Sequence, residues 1–333
     1  MRYDWALQTA IVVIGRNEGD RLRISLSSAF AQCPRVVYVD SGSTDGSPSL
    51  ARSLGAEVVK LDALSSYTAA RGRNAGFAFA NRHFDNLELV QFLDGDCELA
   101  HGWLQLAERA LASDGGVAAV FGRRREVHPE RSVFSKICDI EWDGPVGDVK
   151  AFGGDVLLRA AVFREAGGFD ETLIAGEEPE LSVRIRRRGW RITRLDAPMT
   201  MHDAQMTRFD QWWMRSLRTG HAYAEGAWMH GLSPERHWLR ETISIACWGA
   251  LLPLVCLGLA AVSPPAALVA MLCYPLYCVR IYRRSRRNLG PADARLYAVA
   301  CVVAKFPQAL GVIRLLCGRL LGRRSRLVEY KAT

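Results

Sequence analysis

The sequence predicts an α/β fold, a mostly parallel sheet sandwiched by helices over residues 1–235, followed by a membrane-anchoring helical region over 236–333. Three observations predict it. Short β-branched runs alternate with helical patterns from the N-terminus to about Ala197. The strand runs are almost continuously apolar, and after Met229 the composition turns to long uncharged stretches. A strand that is apolar on both sides needs cover on both sides, which a parallel sheet with crossover helices supplies.

The elements follow in order. "AIVVI" at 10–14 reads as a first buried strand, since it is too brief for a signal peptide or a spanning helix. The helix-like "DRLRISLSSAFA" follows it. "RVVYVD" precedes "TDGSPSLARSLG", "AEVVKL" precedes a helix around 68–82, and "LELVQFLD" precedes "HGWLQLAERALA". Ligands of such sheets gather beyond the carboxyl ends of the strands. There the chain carries Asn17 and Glu18, Asp40 with "SGSTDGS", and Asp94 and Asp96 of "FLDGDCEL". Three strand ends therefore turn acidic or small residues toward one crevice.

Farther on, "ISIACWGALLPLVCLGLAAV" at 243–262 has no charge and, at about 1.5 Å per residue, is long enough as a helix to span a bilayer core. "SPP" turns the chain, and 266–282 returns it to the basic "RIYRRSRR". A buried soluble hairpin is the other reading of 243–279, but a basic cluster directly behind the second helix is what the positive-inside rule asks for. That rule puts both ends of the hairpin, and with them residues 1–235, on the cytoplasmic side. A third apolar segment, 296–321, carries Lys305, Pro307, Arg314 and Arg319 and reads as interfacial or re-entrant.

Charge and cysteine usage exclude several classes. The net charge is +8, yet residues 280–333 hold 13 Lys/Arg against 2 Asp/Glu, so the remainder is net acidic. Basicity confined to a tail makes nucleic acid a poor explanation. None of the nine cysteines forms a C-x-x-C pair and six lie in apolar segments, which argues against zinc and against a disulfide framework. No G-x-G-x-x-G follows the first strand and no G-K-[ST] occurs, so neither dinucleotide nor P-loop binding is signalled.

The carboxylates remain to be explained. Asp94 and Asp96 fit a solvated turn, or an oxygen-ligand site for a divalent cation that in turn binds a diphosphate. Glu177, Glu178 and Glu180 of "AGEEPELSVRIRRRGWRI" fit simple charge at a helix N-terminus, or chemistry.

The ordered set "VVIGRNEGDRL", "VVYVDSGSTDGS", "AARGRNAG", "FLDGDCEL", "FGGDVLLRAAVFREAGGFDE" and "GEEPELSVRIRRRGWRI" resembles the catalytic domain of inverting family 2 glycosyltransferases over about residues 8–215. The resemblance implies a GT-A fold, a nucleotide-sugar donor and a divalent cation, manganese or magnesium. It implies that Glu18 and Asp40 contact the nucleoside, that Arg73 lies near the diphosphate, and that Asp94 faces ribose or sugar. Asp96 would bind the metal, with His202 of "TMHDA" as a second ligand. Gly153, Gly154 and Asp155 would line the donor sugar and acceptor site. Glu178 stands where the family usually has the aspartate that serves as base, with Glu177 and Glu180 as neighbours that the motif does not separate from it. "QWWMRSLRTG" at 211–220 stands where processive members carry Q-x-x-R-W, but Arg215 comes one place late; Arg215 or Arg218 would clamp diphosphate. The acceptor implied is lipid-linked or a saccharide. A nucleotidyltransferase would want a glycine-rich basic loop in place of the acidic "GRNEGD", and a non-catalytic membrane scaffold would not need Asp96 or Glu178.

Overall fold

In the computed structural model, which describes residues 8–322, the first apolar run is strand β1 (Thr9–Gly15), and successive side chains leave it toward opposite sides. Ala10 and Val12 join one core with Val37, Val39, Val90 and Phe92, whereas Ile11 and Val13 join another with Val36, Tyr38 and Leu93. Two buried faces are the physical reason for the unbroken apolar run. Strands β2 (Val36–Asp40) and β4 (Leu89–Asp94) flank β1 in parallel, and β3 (Glu57–Lys60) lies parallel outside β2. Helices α1 (Asp20–Phe30), α2 (Ser47–Ser53) and α4 (Trp103–Ser113) cover the Ile11 face with Leu22, Leu26, Ala51, Trp103 and Leu111. Helices α3 (Ala69–His83), α6 (Ala160–Glu165) and α7 (Glu177–Arg187) cover the Val12 face with Phe77, Phe163, Leu181 and Ile185. Thr68 caps α3 by accepting the Arg71 N–H at 3.2 Å. Gly76 lets α3 down onto the sheet, since a methyl there would stand 2.3 Å from Val12 Cγ1.

Beyond β4 the sheet is mixed. Strand β8 (Val156–Arg159) runs antiparallel to both β4 and β6 (Val117–Glu126), and β9 (Arg191–His202) runs parallel to β6 with shifts of register. Strands β5 (Cys97–Leu99) and β7 (Gly147–Asp148) pair antiparallel with β9. The full order is β3-β2-β1-β4-β8-β6-β9-β5, with β7 also on β9. The parallel half matches the apolar runs read from the sequence; beyond β4 the two longest strands, β6 and β9, run parallel to each other and the short β5, β7 and β8 pair antiparallel with their neighbours.

Two compact units divide the chain, 8–128 with 141–204 and 129–140 with 205–322. The second holds α5 (Val133–Glu141), α8 (Phe209–His230), α9 (Leu239–Ala246), a π-helical turn at Cys247–Leu251, α10 (Leu252–Val262), α11 (Pro264–Met271), α12 (Cys273–Ser285) and α13 (Pro291–Leu320). Helix α8, read from the sequence as the end of the first domain, packs within this unit. Gly220 on α8 and Gly311 on α13 permit it: a methyl at either would stand 2.1 Å from a backbone oxygen of the other helix. Three helical stretches, Leu239–Val262, Pro264–Ser285 and Pro291–Leu320, are long and apolar enough to cross a membrane. The third, expected to be interfacial or re-entrant over 296–321, is one unbroken helix of 30 residues that keeps Pro307 inside it. Residues 1–7 and 323–333, the ends of the two expected domains, lie outside the described residues.

Candidate active site

The polar residues of the first unit collect where the strands end. After β1 the chain turns at Asn17, whose φ of 55° is left-handed. Its side-chain oxygen accepts the Thr44 N–H at 2.7 Å and its own N–H donates to Ser43 Oγ at 3.0 Å. The loops behind β1 and β2 are thus stitched together. Asp40, at the end of β2, is 3% exposed and accepts the N–H groups of Gly42 and Ser43 at 3.1 Å, which folds "DSGS" around it. Glu18 pairs with Arg21 at 2.9 Å.

The "DGD" turn lies on β1, with the Gly95 N–H donating to the Ile14 carbonyl at 2.7 Å. A Cβ at 95 would come 3.0 Å from that carbonyl oxygen, so glycine permits the contact. The turn sends its two carboxylates into different surroundings. Asp94 meets two guanidinium groups, Arg73 of α3 at 2.9 Å and Arg124 of β6 at 2.8 Å. Arg124 also holds Asp155 at 2.6 Å, and Asp155 accepts the Asp94 N–H at 3.0 Å and the Thr200 hydroxyl at 2.8 Å. Burial works to raise the Asp94 pKa, but Arg73 and Arg124 outweigh it and hold the carboxyl down to about 2. Gly154 lies against this cluster: a methyl would stand 2.7 Å from Arg73 Nη2 and 2.9 Å from Asp94 Oδ2, whereas Gly153 faces open space.

Asp96 faces an imidazole instead. Its Oδ2 lies 3.2 Å from His202 Nε2, and the other ring nitrogen lies 3.9 Å from Glu126 Oε2. Trp142 meets the imidazole edge-on at 4.8 Å. Cys97 is the register partner of His202 across β5 and β9, and its Sγ lies 3.8 Å from Asp96 Oδ1. Burial acts to lower the His202 pKa, but the Asp96 carboxylate overrides it and the pKa is raised. A cation is favoured at this spot. The donors are a carboxylate oxygen and, 3.2 Å from it, the imidazole Nε2, and ligand atoms of Asp96, Cys97 and His202 lie within 4.8 Å of one another, so Asp96 and His202 could hold a divalent metal ion.

At the N-terminus of α7 the left-handed Gly176, φ 85°, starts a run of three glutamates. Arg73 Nη1 reaches Glu177 at 3.0 Å and Glu178 at 3.2 Å, while Arg184 chelates Glu180 at 2.6 Å. Burial, reinforced by the adjacent Glu177 carboxylate, pushes Glu178 up to about 7, with Arg73 opposing. Arg73 thereby ties Asp94 to the α7 glutamates. Arg215 lies on α8, in the second unit.

Three residues of this cluster escaped the sequence reading: Arg124, Glu126 and Trp142. A signal was present in "FGRRREV", because alternate positions of a strand share a face. Arg124 and Glu126 therefore leave β6 on the same side.

Residues 10–142 match the glycosyl transferase family 2 family. A succinoglycan biosynthesis protein, ExoA of Rhizobium meliloti (strain 1021), is 27% identical over 71% of this chain and 73% of its own length. The glycosyltransferase AglE of Haloferax volcanii is 23% identical over 72% of this chain and 79% of its own. Among solved structures, the mannosyltransferase PcManGT from Pyrobaculum calidifontis, in complex with GDP-Man and Mn2+, has a TM-score of 0.58 at 18% identity, covering 93% of this chain and 87% of that one. The last likeness is one of fold. With the strand-end carboxylates and the matched region together, the chain carries a glycosyl transferase family 2 domain on a GT-A fold and is a glycosyltransferase.

Proposed function

We propose that the protein is an inverting glycosyltransferase that moves a sugar from a nucleotide-diphosphate donor to a lipid-linked or saccharide acceptor at the cytoplasmic face of a membrane, with Glu178 as general base. The observation that carries this reading is the difference among the three carboxylates of α7. Glu177 is buried on Arg73 and Glu180 is chelated by Arg184, whereas the Glu178 side chain keeps 17% exposure and a pKa pushed up to about 7. A carboxylate so tuned suits proton abstraction near neutral pH.

In the proposed step Glu178 accepts the proton of the acceptor hydroxyl as that oxygen attacks the anomeric carbon. The bond from that carbon to the diphosphate oxygen breaks with its electron pair on the diphosphate, and the single displacement inverts configuration. Glu18 and Asp40 hold the nucleoside, while Asp94, Gly153, Gly154 and Asp155 edge the donor sugar. Arg73 acts as a positioning residue through Asp94 and Glu178. A cation bound by Asp96 and His202 supplies positive charge against the departing diphosphate. Of the two ions, Mn2+ is favoured over Mg2+, which prefers oxygen ligands alone. The GDP-Man and Mn2+ of PcManGT support the donor class and the ion, and the succinoglycan relative supports a saccharide acceptor.

Glu178→Gln tests the base: turnover is expected to fall by about 10²-fold or more, while calorimetric titration with a nucleotide sugar and Mn2+ shows donor binding retained. Full turnover in that variant overturns the assignment. The membrane face is tested with an impermeant thiol reagent on intact cells, in variants whose native cysteines are removed. A cysteine at Ser263 is expected to label and one at Ser285 to stay protected, and the reverse pattern removes the cytoplasmic assignment.

A further inference from the structure

The proposed reaction makes no use of the cysteine that follows "DGD". Cys97 opens β5, and its partner across the antiparallel pair is His202. Directly opposed residues of such a pair turn their side chains to one face. The Cys97 thiol is therefore beside the imidazole as well as beside Asp96, whose Oδ1 lies 3.8 Å from Sγ. Ligand atoms of Asp96, Cys97 and His202 all lie within 4.8 Å of one another, and all three residues are buried. Asp94 and Asp155 also have oxygens within 4.8 Å of the Cys97 sulfur, but they pair with Arg73 and Arg124, whereas Asp96 faces the imidazole.

We propose that Cys97 is a third protein donor to the cation site and makes that site thiophilic, so that Zn2+ or Cd2+ binds there through Sγ and displaces Mn2+. The inference rests on the reading of Asp96 and His202 as the cation ligands. Its chemistry is that of donor softness: sulfur adds strongly to the affinity for Zn2+ and Cd2+ and little to that for Mn2+. Carboxylate oxygen, imidazole nitrogen and thiolate sulfur are also the three donor types that zinc takes, and three protein donors leave its fourth position open. Binding of the soft ion releases the thiol proton to solvent, one per ion, and forms a metal–sulfur bond. Mn2+, which gains little from sulfur, would not need Cys97 as a donor. Cys97 is then a selectivity residue that exposes the enzyme to soft metals.

Competition between ions tests this on the full-length, metal-free protein. The paramagnetic resonance signal of free Mn2+ reports Mn2+ affinity and its release by added Cd2+, and ultraviolet absorption reports the cadmium–thiolate band above the background of the eight other cysteines. Cys97→Ser and Cys97→Ala are both expected to lose one band equivalent. They should need about tenfold more Cd2+ or higher to release Mn2+, with Mn2+ affinity itself changed less than about twofold. Release at the same Cd2+ concentration as the parent protein overturns the proposal. So does an equal loss of Mn2+ and Cd2+ affinity in both variants, which would make Cys97 a packing residue. Asp96→Asn separates the underlying reading: unchanged Mn2+ affinity in that variant would remove the cation site, whatever Cys97 does.

Discussion

Asp94 at the end of β4 and Glu178 at the start of α7 touch the same guanidinium, that of Arg73, yet they depart from the ordinary carboxylate range in opposite directions. Asp94 is held down to about 2 and Glu178 is pushed up to about 7. Burial raises both carboxyls, and the difference lies in how much positive charge each has to set against it. Asp94 has a second guanidinium on its other oxygen, Arg124, which it shares with Asp155, whereas Glu178 has Arg73 alone and divides it with Glu177 and Asp94. One arginine thereby serves a fixed anion and an adjustable one. Their effects on stability oppose each other as well. A depressed pKa makes Asp94 stabilising at neutral pH, a contribution lost as pH falls from 3.8 toward 2, while the raised pKa makes an ionised Glu178 a burden on the fold above pH 7.

Four measurements break or sharpen that comparison. The largest effect is expected from Asp155→Ala, which leaves Arg124 and the Asp94 N–H without their shared partner. Breaking a buried pair in this way costs about 3–5 kcal/mol, read by chemical denaturation of the catalytic region. Next comes Glu178→Gln as a stability change. The Glu178 carboxyl binds its proton more tightly in the folded state than its ordinary value of 4.5 allows, so stability falls as pH rises from 4.5 through about 7. The amide removes that charge, and thermal melting at pH 8 should show a gain on the order of 1–3 kcal/mol that vanishes at pH 4. Third, the acid limb of kcat/KM should lie near pH 7 and activity should fall below it, because the base acts as the anion. Arg73→Gln removes the cation that opposes burial, and the limb of its residual activity should move alkaline by about one unit. Unmoved, it would sever Arg73 from Glu178. The smallest effect belongs to Glu180→Gln, whose partner Arg184 lies on the same helix. Turnover of the folded variant should stay within about twofold, because the Glu180 carboxylate is turned onto Arg184 and the amide keeps a partner there; a collapse there would transfer the base assignment two residues onward.

The parallel half of the sheet was legible because its strands are buried on both faces, so hydrophobicity alone marked "AIVVI", "RVVYVD" and "LELVQFLD". The strand ends carrying Asp40, Asp94 and Asp96 followed from that. Arg124 and Glu126 were not legible in the same way, since they sit in a charged run, Arg123 to Glu126, whose composition resembles a solvated strand. Only the pairing of β6 with β8 and β9 brings the Arg124 face against Asp155. Arg73 was named from its motif, but its carboxylate partners were not. The motif pointed it toward a diphosphate, while the packing of α3 on the sheet buries its guanidinium to 2% exposure among carboxylates from two other elements. Sequence order says which side chains are charged; it does not say how many others each will have to share.

The meeting of Gly220 and Gly311 has a mechanical consequence. With no side chain on either helix at the crossing, α8 and α13 touch through their main chains, leaving no gap for an acyl tail or a detergent molecule to wedge into. Side-chain contacts between apolar helices can be exchanged for contacts with solvating hydrocarbon at little loss, but a main-chain contact has no such substitute. The two helices therefore behave as a single strut, and a force applied at the N-terminal end of α8 is delivered to α13 with little give. One methyl at either position would act as a shim, prying the strut open.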